Sequence, residues 1–280
     1  MTIAPLRTAL PLAFGALLAS VAMPAALAQE TIETSAGSVS VEVLAEGLSN
    51  PWAIGFLPDG RLLVTEKSGS LRVVGEDGAG EPVAGVPEVV TRGQGGLLDV
   101  VVAPDFAQTG RIFMTFSEPA ADAGQQEGAG TAVYAARLVL EGDSGTLEDG
   151  EVIFRMNKFT TAGQHFGSRI VIAPDGNLLV TLGERGDRDR AQDMADLAGA
   201  VVRIAPDGSV PADNPWVDQE GVAPELYSKG HRNPQGAALR ADGTYFTVEH
   251  GAMGGDEINT PQPGLNYGWP VITYGVDYTR

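Results

Sequence analysis

The chain has 280 residues, with 36 Asp and Glu against 18 Lys and Arg, a formal net charge of -18, and no cysteine. The acidity argues against non-specific binding of nucleic acid or an anionic membrane. Absent cysteine excludes disulfides, thiolate catalysis and Cys-ligated zinc or iron–sulfur centres. Hydrophobic residues make up 43%, enough for a sizeable core, and the 37 glycines and 18 prolines follow no G-X-Y period, so disorder and collagen are set aside too.

Along the chain, Arg7 is the one charged side chain before Glu30, an apolar Ala- and Leu-rich stretch follows, and Ala26-Leu27-Ala28 offers small residues for cleavage. This is the three-part pattern of a secretory signal peptide over residues 1–28. Pro11, Gly15 and Pro24 weigh against a membrane anchor. The expected mature chain, residues 29–280, is periplasmic or secreted, with no stable insertion in a membrane.

Residues 52–74, WAIGFLPDGRLLVTEKSGSLRVV, form the first of a set of repeats. Similar units follow at residues 97–118, with a longer turn, at 168–184 and at 235–251. Each is a run of β-formers, an Asp-centred turn and a second run. Asp-Gly between alternating apolar runs predicts a hairpin, since both residues tolerate positive φ. The turn residues Asp59, Asp105, Asp175 and Asp242 are 46, 70 and 67 residues apart. Such uneven spacing suits an all-β propeller with long inserted loops, and a two-sheet sandwich would leave the repetition unexplained. Four to five blades are expected over residues 29–280. No closing strand matches the first repeat before Arg280, so the ring reads as incomplete. Residues 188–197 read as a charged loop with one helical turn, and the alternating charges of residues 183–193 as a solvated loop.

The three histidines all fall at loop positions beside repeat strands: His165 in TTAGQHFGSR, His231 in SKGHRNPQG and His250 in VEHGAMGGDEIN. Loops at one face of a rigid scaffold are where sites are built, so the three are expected near one face. Their spacing is not that of a helical zinc motif, although a three-histidine metal centre stays open. In GHRNPQG, Arg232 offers a planar fork for an oxyanion or carboxylate, and Asn233 both a donor and an acceptor. The carboxylates of GGDEIN suit Ca2+ or a plain turn.

Taken together, GLSNPWAIGFLPDGRLLVTEKSGSLRVV, GQGGLLDVVVAPDF, HFGSRIVIAPDGNLLVTLGERGDRDRAQD, DGSVPADNPW, GHRNPQG and GDEINTPQPGLNYGWP resemble the soluble quinone-dependent aldose sugar dehydrogenases of the glucose/sorbosone dehydrogenase family, across residues 47–270. The resemblance implies a six-bladed propeller with pyrroloquinoline quinone (PQQ) over its top face. It implies His165 as catalytic base, with Arg232 beside it in catalysis, and Arg232, Asn233 and His250 as cofactor-binding residues. It implies backbone carbonyls near Gly251 and Ala252 as ligands of a cofactor-bound Ca2+, and Glu257 and Tyr267 at a second, structural Ca2+. Relatives usually carry proline where this chain has Ala252, and their further basic residues, from later blades, have no counterpart before Arg280. Aldose sugars are then the expected substrates, and a soluble electron acceptor or a respiratory-chain carrier the expected partner, with no role for nucleic acid. A Ca2+-dependent propeller lactonase and a non-catalytic binding propeller are the alternatives.

Overall fold

A computed structural model describes residues 29–125 and 127–278. The expected signal segment lies outside the described residues. Strands β1 (Gln29–Thr34) and β2 (Gly37–Glu42) pair as an antiparallel hairpin, six residues against six. Its turn is closed by the Thr34 hydroxyl, which donates to the Gly37 carbonyl at 2.6 Å and accepts from Ala36 N–H. This hairpin belongs to a compact unit ending at Val43, and everything below concerns the second unit, from Leu44 onward.

The second unit is four antiparallel meanders in series. The first contains β3 (Pro51–Phe56), β4 (Leu62–Glu66), β5 (Ser70–Gly75) and β6 (Gly78–Pro82). The second contains β7 (Leu97–Val102), β8 (Arg111–Pro119), β9 (Ala129–Glu141) and β10 (Ser144–Arg155). The third contains β11 (Gly167–Ile172), β12 (Leu178–Leu182), β13 (Ala200–Ile204) and β14 (Leu226–Lys229). The fourth has three strands among the described residues, β15 (Pro234–Leu239), β16 (Tyr245–Glu249) and β17 (Glu257–Asn259). The first strands β3, β7, β11 and β15 each contact the next, so they line an axis, and the sheets splay outward as propeller blades. Four blades fall within the four to five expected from the repeats.

The Asp-Gly turns form by a different route from the expected one. In four copies, at Asp59, Asp175, Asp207 and Asp242, the carboxylate accepts the backbone N–H two residues on, at 2.9–3.1 Å. Only the glycine that follows takes positive φ, between 83° and 92°. The turn is therefore an Asx-capped turn ending in a left-handed glycine, in which Asp supplies a hydrogen bond and Gly the conformation. In the second blade this turn is replaced by the one-turn helix α1 (Phe106–Thr109), closed by left-handed Gly110.

The core lies between blades. Leu63, Leu71, Leu97, Ile112, Met114 and Phe116 fill the first interface, and Phe113, Val133, Met156, Val180, Leu182 and Val202 the second. Each fully buried side chain of this kind contributes about 1.5–3 kcal/mol. A polar ladder runs through the same interfaces. Thr65 on β4 accepts from Ala53 N–H in its own blade and donates to Leu98 O in the next, at 3.0 and 2.6 Å. Thr115 repeats this with Asp99 N–H and Ser168 O, and Thr181 with Arg169 N–H and Pro234 O. At the same position of the fourth blade, the buried Thr247 hydroxyl has no partner among the described residues. Across the axis, Arg169 donates to Asp99 at 2.9 Å and to Gln235 O at 2.8 Å, and lies 4.4 Å from the Trp52 ring. One side chain thus touches the first strand of every blade. Burial pushes the Asp99 carboxyl up, against the lowering effect of the Arg169 cation.

Candidate active site

In each blade the first strand runs from one face of the propeller to the Asp-centred turn, and the second strand returns. The segments before the first strands and after the second strands therefore gather on the face opposite those turns. Gln94 precedes β7, His165 precedes β11, Arg232 and Asn233 precede β15, and His250 follows β16. All five line one polar cavity of about 460 Å³, together with Gln235, Gly251, Ala252, Asp256 and others. The structure thus brings His165 and Arg232 together from two different blades.

His165 sits at left-handed backbone, φ 55°, a conformation uncommon for a residue with a side chain. Its N–H donates to the Gln94 side-chain oxygen at 2.7 Å. Its Nδ1 lies 2.6 Å from Glu184 Oε2, which also accepts from Gly186 N–H at 2.6 Å. A carboxylate can only accept, so the proton between them sits on Nδ1, and Nε2 has no partner among the described residues. Gly183 packs directly beneath: a Cβ there would stand 1.9 Å from the His165 carbonyl oxygen. A histidine oriented by a buried carboxylate, with its second nitrogen free, is the arrangement of a general base.

Arg232 is fixed at both ends. Its N–H donates to Glu249 Oε1, its carbonyl accepts from Glu184 N–H at 2.9 Å, and its guanidinium donates to His250 O at 3.0 Å. Trp269 and Tyr278 lie 5.3 and 6.0 Å from the guanidinium carbon. The Arg232 Nε is buried and has no partner among the described residues, an unfilled donor beside the cavity. Asn233 Oδ1 accepts from Gly167 N–H at 3.1 Å, tying the third and fourth blades together.

His231 does not share this cavity. It is fully buried, with Nδ1 2.8 Å from Glu249, Nε2 2.9 Å from the Ser228 hydroxyl, and its ring stacked on Tyr267 at 4.9 Å. Both nitrogens are used, which removes the three-histidine metal centre. The described residues hold no group of three or more His, Asp or Glu placed to bind a metal. Gly251 and Ala252 line the cavity, and Asp256, also lining it, accepts from Gly251 N–H at 2.9 Å. Glu257 accepts from Asn259, and the Tyr267 hydroxyl closes its own loop by donating to Thr260 O and accepting from Gln262 N–H.

Sequence reasoning passed over Glu184 and Arg185, assigned to a solvated charged loop, whereas both are buried. A signal was present. Every repeat carries a glutamate at or within two residues of the end of its second strand, Glu66, Glu118, Glu184 and Glu249, and all four are buried. Glu66 accepts from Arg72 and Ser49 N–H, Glu118 from Arg155, and the other two hold a histidine each. The remainder of the charged segment does form a short 3-10 turn, Arg188–Gln192, as expected.

Fold and site together define a β-propeller that presents an oriented histidine and an arginine, from neighbouring blades, to one polar cavity. Residues 48–280 match the family model described as Glucose / Sorbosone dehydrogenase, and the chain belongs to that family. It is 45% identical over 246 residues to the aldose sugar dehydrogenase YliI of Escherichia coli, covering 86% of this chain and 64% of that protein, less than two thirds of its length. The crystal structure of the Escherichia coli aldose sugar dehydrogenase in its apo form superposes with a TM-score of 0.80 at 45% identity, over 85% of this chain and 68% of that one. The PQQ-bound aldose sugar dehydrogenase of Streptomyces coelicolor superposes with a TM-score of 0.72 at 30% identity, over 89% and 69%.

Proposed function

We propose that this chain carries the base-and-cofactor face of a quinoprotein that oxidises the anomeric hydroxyl of aldose sugars to a lactone. The observation that carries the reading is the His165–Glu184 pair beside Arg232 on one cavity. The Streptomyces coelicolor relative is described as binding PQQ, which supports the same cofactor here.

The residues present fit such a group. A carboxylated, dicarbonyl cofactor offers acceptors, and Arg232 offers an unpartnered buried donor beside the cavity. Asn233 and His250 line the cavity as further polar contacts. The backbone oxygens of Gly251 and Ala252 and the Asp256 carboxylate are hard donors suited to Ca2+. When bound, PQQ supplies the acceptor for the hydride leaving the anomeric carbon, and Ca2+ polarises it as a Lewis acid. His165 Nε2 takes the hydroxyl proton, and Glu184 stabilises the imidazolium that forms. Arg232 holds negative charge at the cavity wall, where it strengthens as the reaction proceeds. Gln94 fixes the His165 backbone from the second blade. Glu257 and Tyr267, in the fourth blade and the loop after it, are the residues assigned to a second, structural Ca2+. Among the described residues, no helix is long and apolar enough to cross a membrane. The amino-terminal pattern supports export to the periplasm or beyond, with electrons passed to a soluble acceptor or a respiratory-chain carrier.

The test is reconstitution of the purified protein with PQQ and Ca2+, followed by dye reduction with a panel of aldoses. Sugar-dependent reduction that disappears on chelation is expected. A reconstituted protein that binds PQQ but reduces no dye with any aldose would overturn the reading. Amino-terminal sequencing of exported protein, expected to begin at Gln29, tests the localisation.

A further inference from the structure

Arg185 is among the largest fully buried side chains, yet no carboxylate forms an ion pair with it among the described residues. Burial, with the nearby Arg190 charge second, pulls its pKa down to about 9, so it remains a cation at neutral pH. Burying a cation is costly unless its donors are met. Here they are met by backbone. Nε donates to Gln164 O at 3.1 Å, one terminal nitrogen to Ala162 O at 2.6 Å, and the other to Ala129 O on β9 at 3.2 Å. The guanidinium carbon lies 3.5 Å from the centre of the Phe166 ring.

These contacts concentrate on one short segment. Residues 162, 164 and 166 alternate with the cavity-facing side of the chain at His165, whose left-handed backbone is a conformation that the surroundings must impose. The segment lies between β10 and β11 and has little ladder bonding of its own. Gly183 blocks it from below, and Arg185, two residues further on, grips it from the side. The residue between them is Glu184, the partner of His165 Nδ1. A planar fork can satisfy several fixed carbonyls at once, which a lysine ammonium does less well.

We infer that Arg185 is a positioning residue for His165. It fixes the main chain before the histidine at Ala162 and Gln164, and the Phe166 ring just after it, so that Nδ1 stays on Glu184 and Nε2 stays free at the cavity. This rests on the assignment of His165 as base, but the geometry it claims is measurable without turnover.

The experiment uses the three histidines as separate probes, by 15N NMR of the cofactor-free protein. Wild type is expected to show an Nδ1-protonated His165 with a slowly exchanging proton. In Arg185→Met, that proton signal is expected to be lost and the tautomers to average, while the His231 signals, held by Glu249 and Ser228, stay in place and report an intact fold. Turnover with PQQ is expected to fall about 10²-fold, as for a misplacement of about 1 Å, with KM for sugar nearly unchanged. Arg185→Lys is expected to recover part of both signals. If Arg185→Met loses the His231 signals as well, Phe166→Leu decides, since it removes only the ring beneath the guanidinium and is expected to weaken the His165 signature. A folded Arg185→Met or Phe166→Leu protein with an unchanged His165 spectrum overturns the inference. Wild-type protein that oxidises no sugar overturns the proposed function instead, and leaves the NMR comparison intact.

Discussion

Two histidine–glutamate pairs occupy corresponding places in the third and fourth blades. His165 and Glu184 flank β11 and β12, and His231 and Glu249 flank β15 and β16. In both, a loop histidine just before the first strand meets a glutamate just after, or at the end of, the second. The third-blade pair leaves Nε2 without a partner among the described residues and opens on the cavity. The fourth-blade pair is closed: Ser228 takes Nε2, Tyr267 covers the ring, and the histidine keeps no exposed surface. One repeat thus presents its histidine to a cavity while its neighbour's is packed away. Glu249 also receives the Arg232 N–H, so the closed pair holds the cation that the open pair faces across the cavity. The lesson is that a Ser–His–Glu chain is not a catalytic triad when solvent and substrate cannot reach it.

The largest expected effect separates the pairs directly. His165→Ala should lower turnover by about 10²–10⁴-fold, with a smaller drop in the urea midpoint than His231→Ala, because the His165 ring is partly exposed. A variant that turns over at the wild-type rate would show that His165 is not the base. His231→Ala should instead cost on the order of 3 kcal/mol of stability, because it leaves Glu249 and Ser228 buried and under-bonded. Turnover per folded molecule should fall less than for His165→Ala. Urea titrations alongside activity corrected for folded fraction measure both, and the opposite ranking would break the comparison.

The closed pair's segment also holds Lys229, whose buried ammonium donates to Asp196 O and Ala198 O, both at 2.6 Å. Burial depresses its pKa to about 7. The unfolded chain keeps this proton up to about pH 10.4. The unfolded state therefore binds more protons between those values, and the Lys229 contribution to stability grows with pH from 7 toward 10, by at most about 1.4 kcal/mol per unit. Lys229→Met should flatten that slope in urea midpoints measured across the interval. An identical slope in the variant would place the titration elsewhere.

The smallest effect lies in the threonine ladder that sets the two blades at their spacing. Thr181→Val removes two hydrogen bonds and leaves Arg169 N–H and Pro234 O unmet, at a cost of about 1–3 kcal/mol. Thr247→Val removes a hydroxyl that has no partner among the described residues, so its midpoint should move by less than about 0.5 kcal/mol. Equal losses in the two variants would mean that the fourth blade's hydroxyl is engaged in solution.

Much of this was legible in order of sequence alone. Asp-Gly between β-forming runs sufficed for the hairpins and the all-β class, because turn conformation and alternation are local properties. GHRNPQG and TTAGQHFGSR marked the loops of the site, since dense polar residues beside a strand have few local uses. The different fates of His165 and His231 were not legible. Both are loop histidines followed within three residues by a strand, and only the packing of Tyr267 and Ser228 against one of them closes it. Glu184 and Arg185 were hidden for a related reason: a charged run has the same composition whether it is solvated or folded inward onto backbone carbonyls. Alternation, turn chemistry and loop placement act over a few residues, so the amino-acid order by itself determined the blades and the face on which the site would lie. Which histidine keeps a free nitrogen, and which cation is buried to hold it, depended on groups 18 to 56 residues apart meeting within and between blades, and only the tertiary structure could decide that.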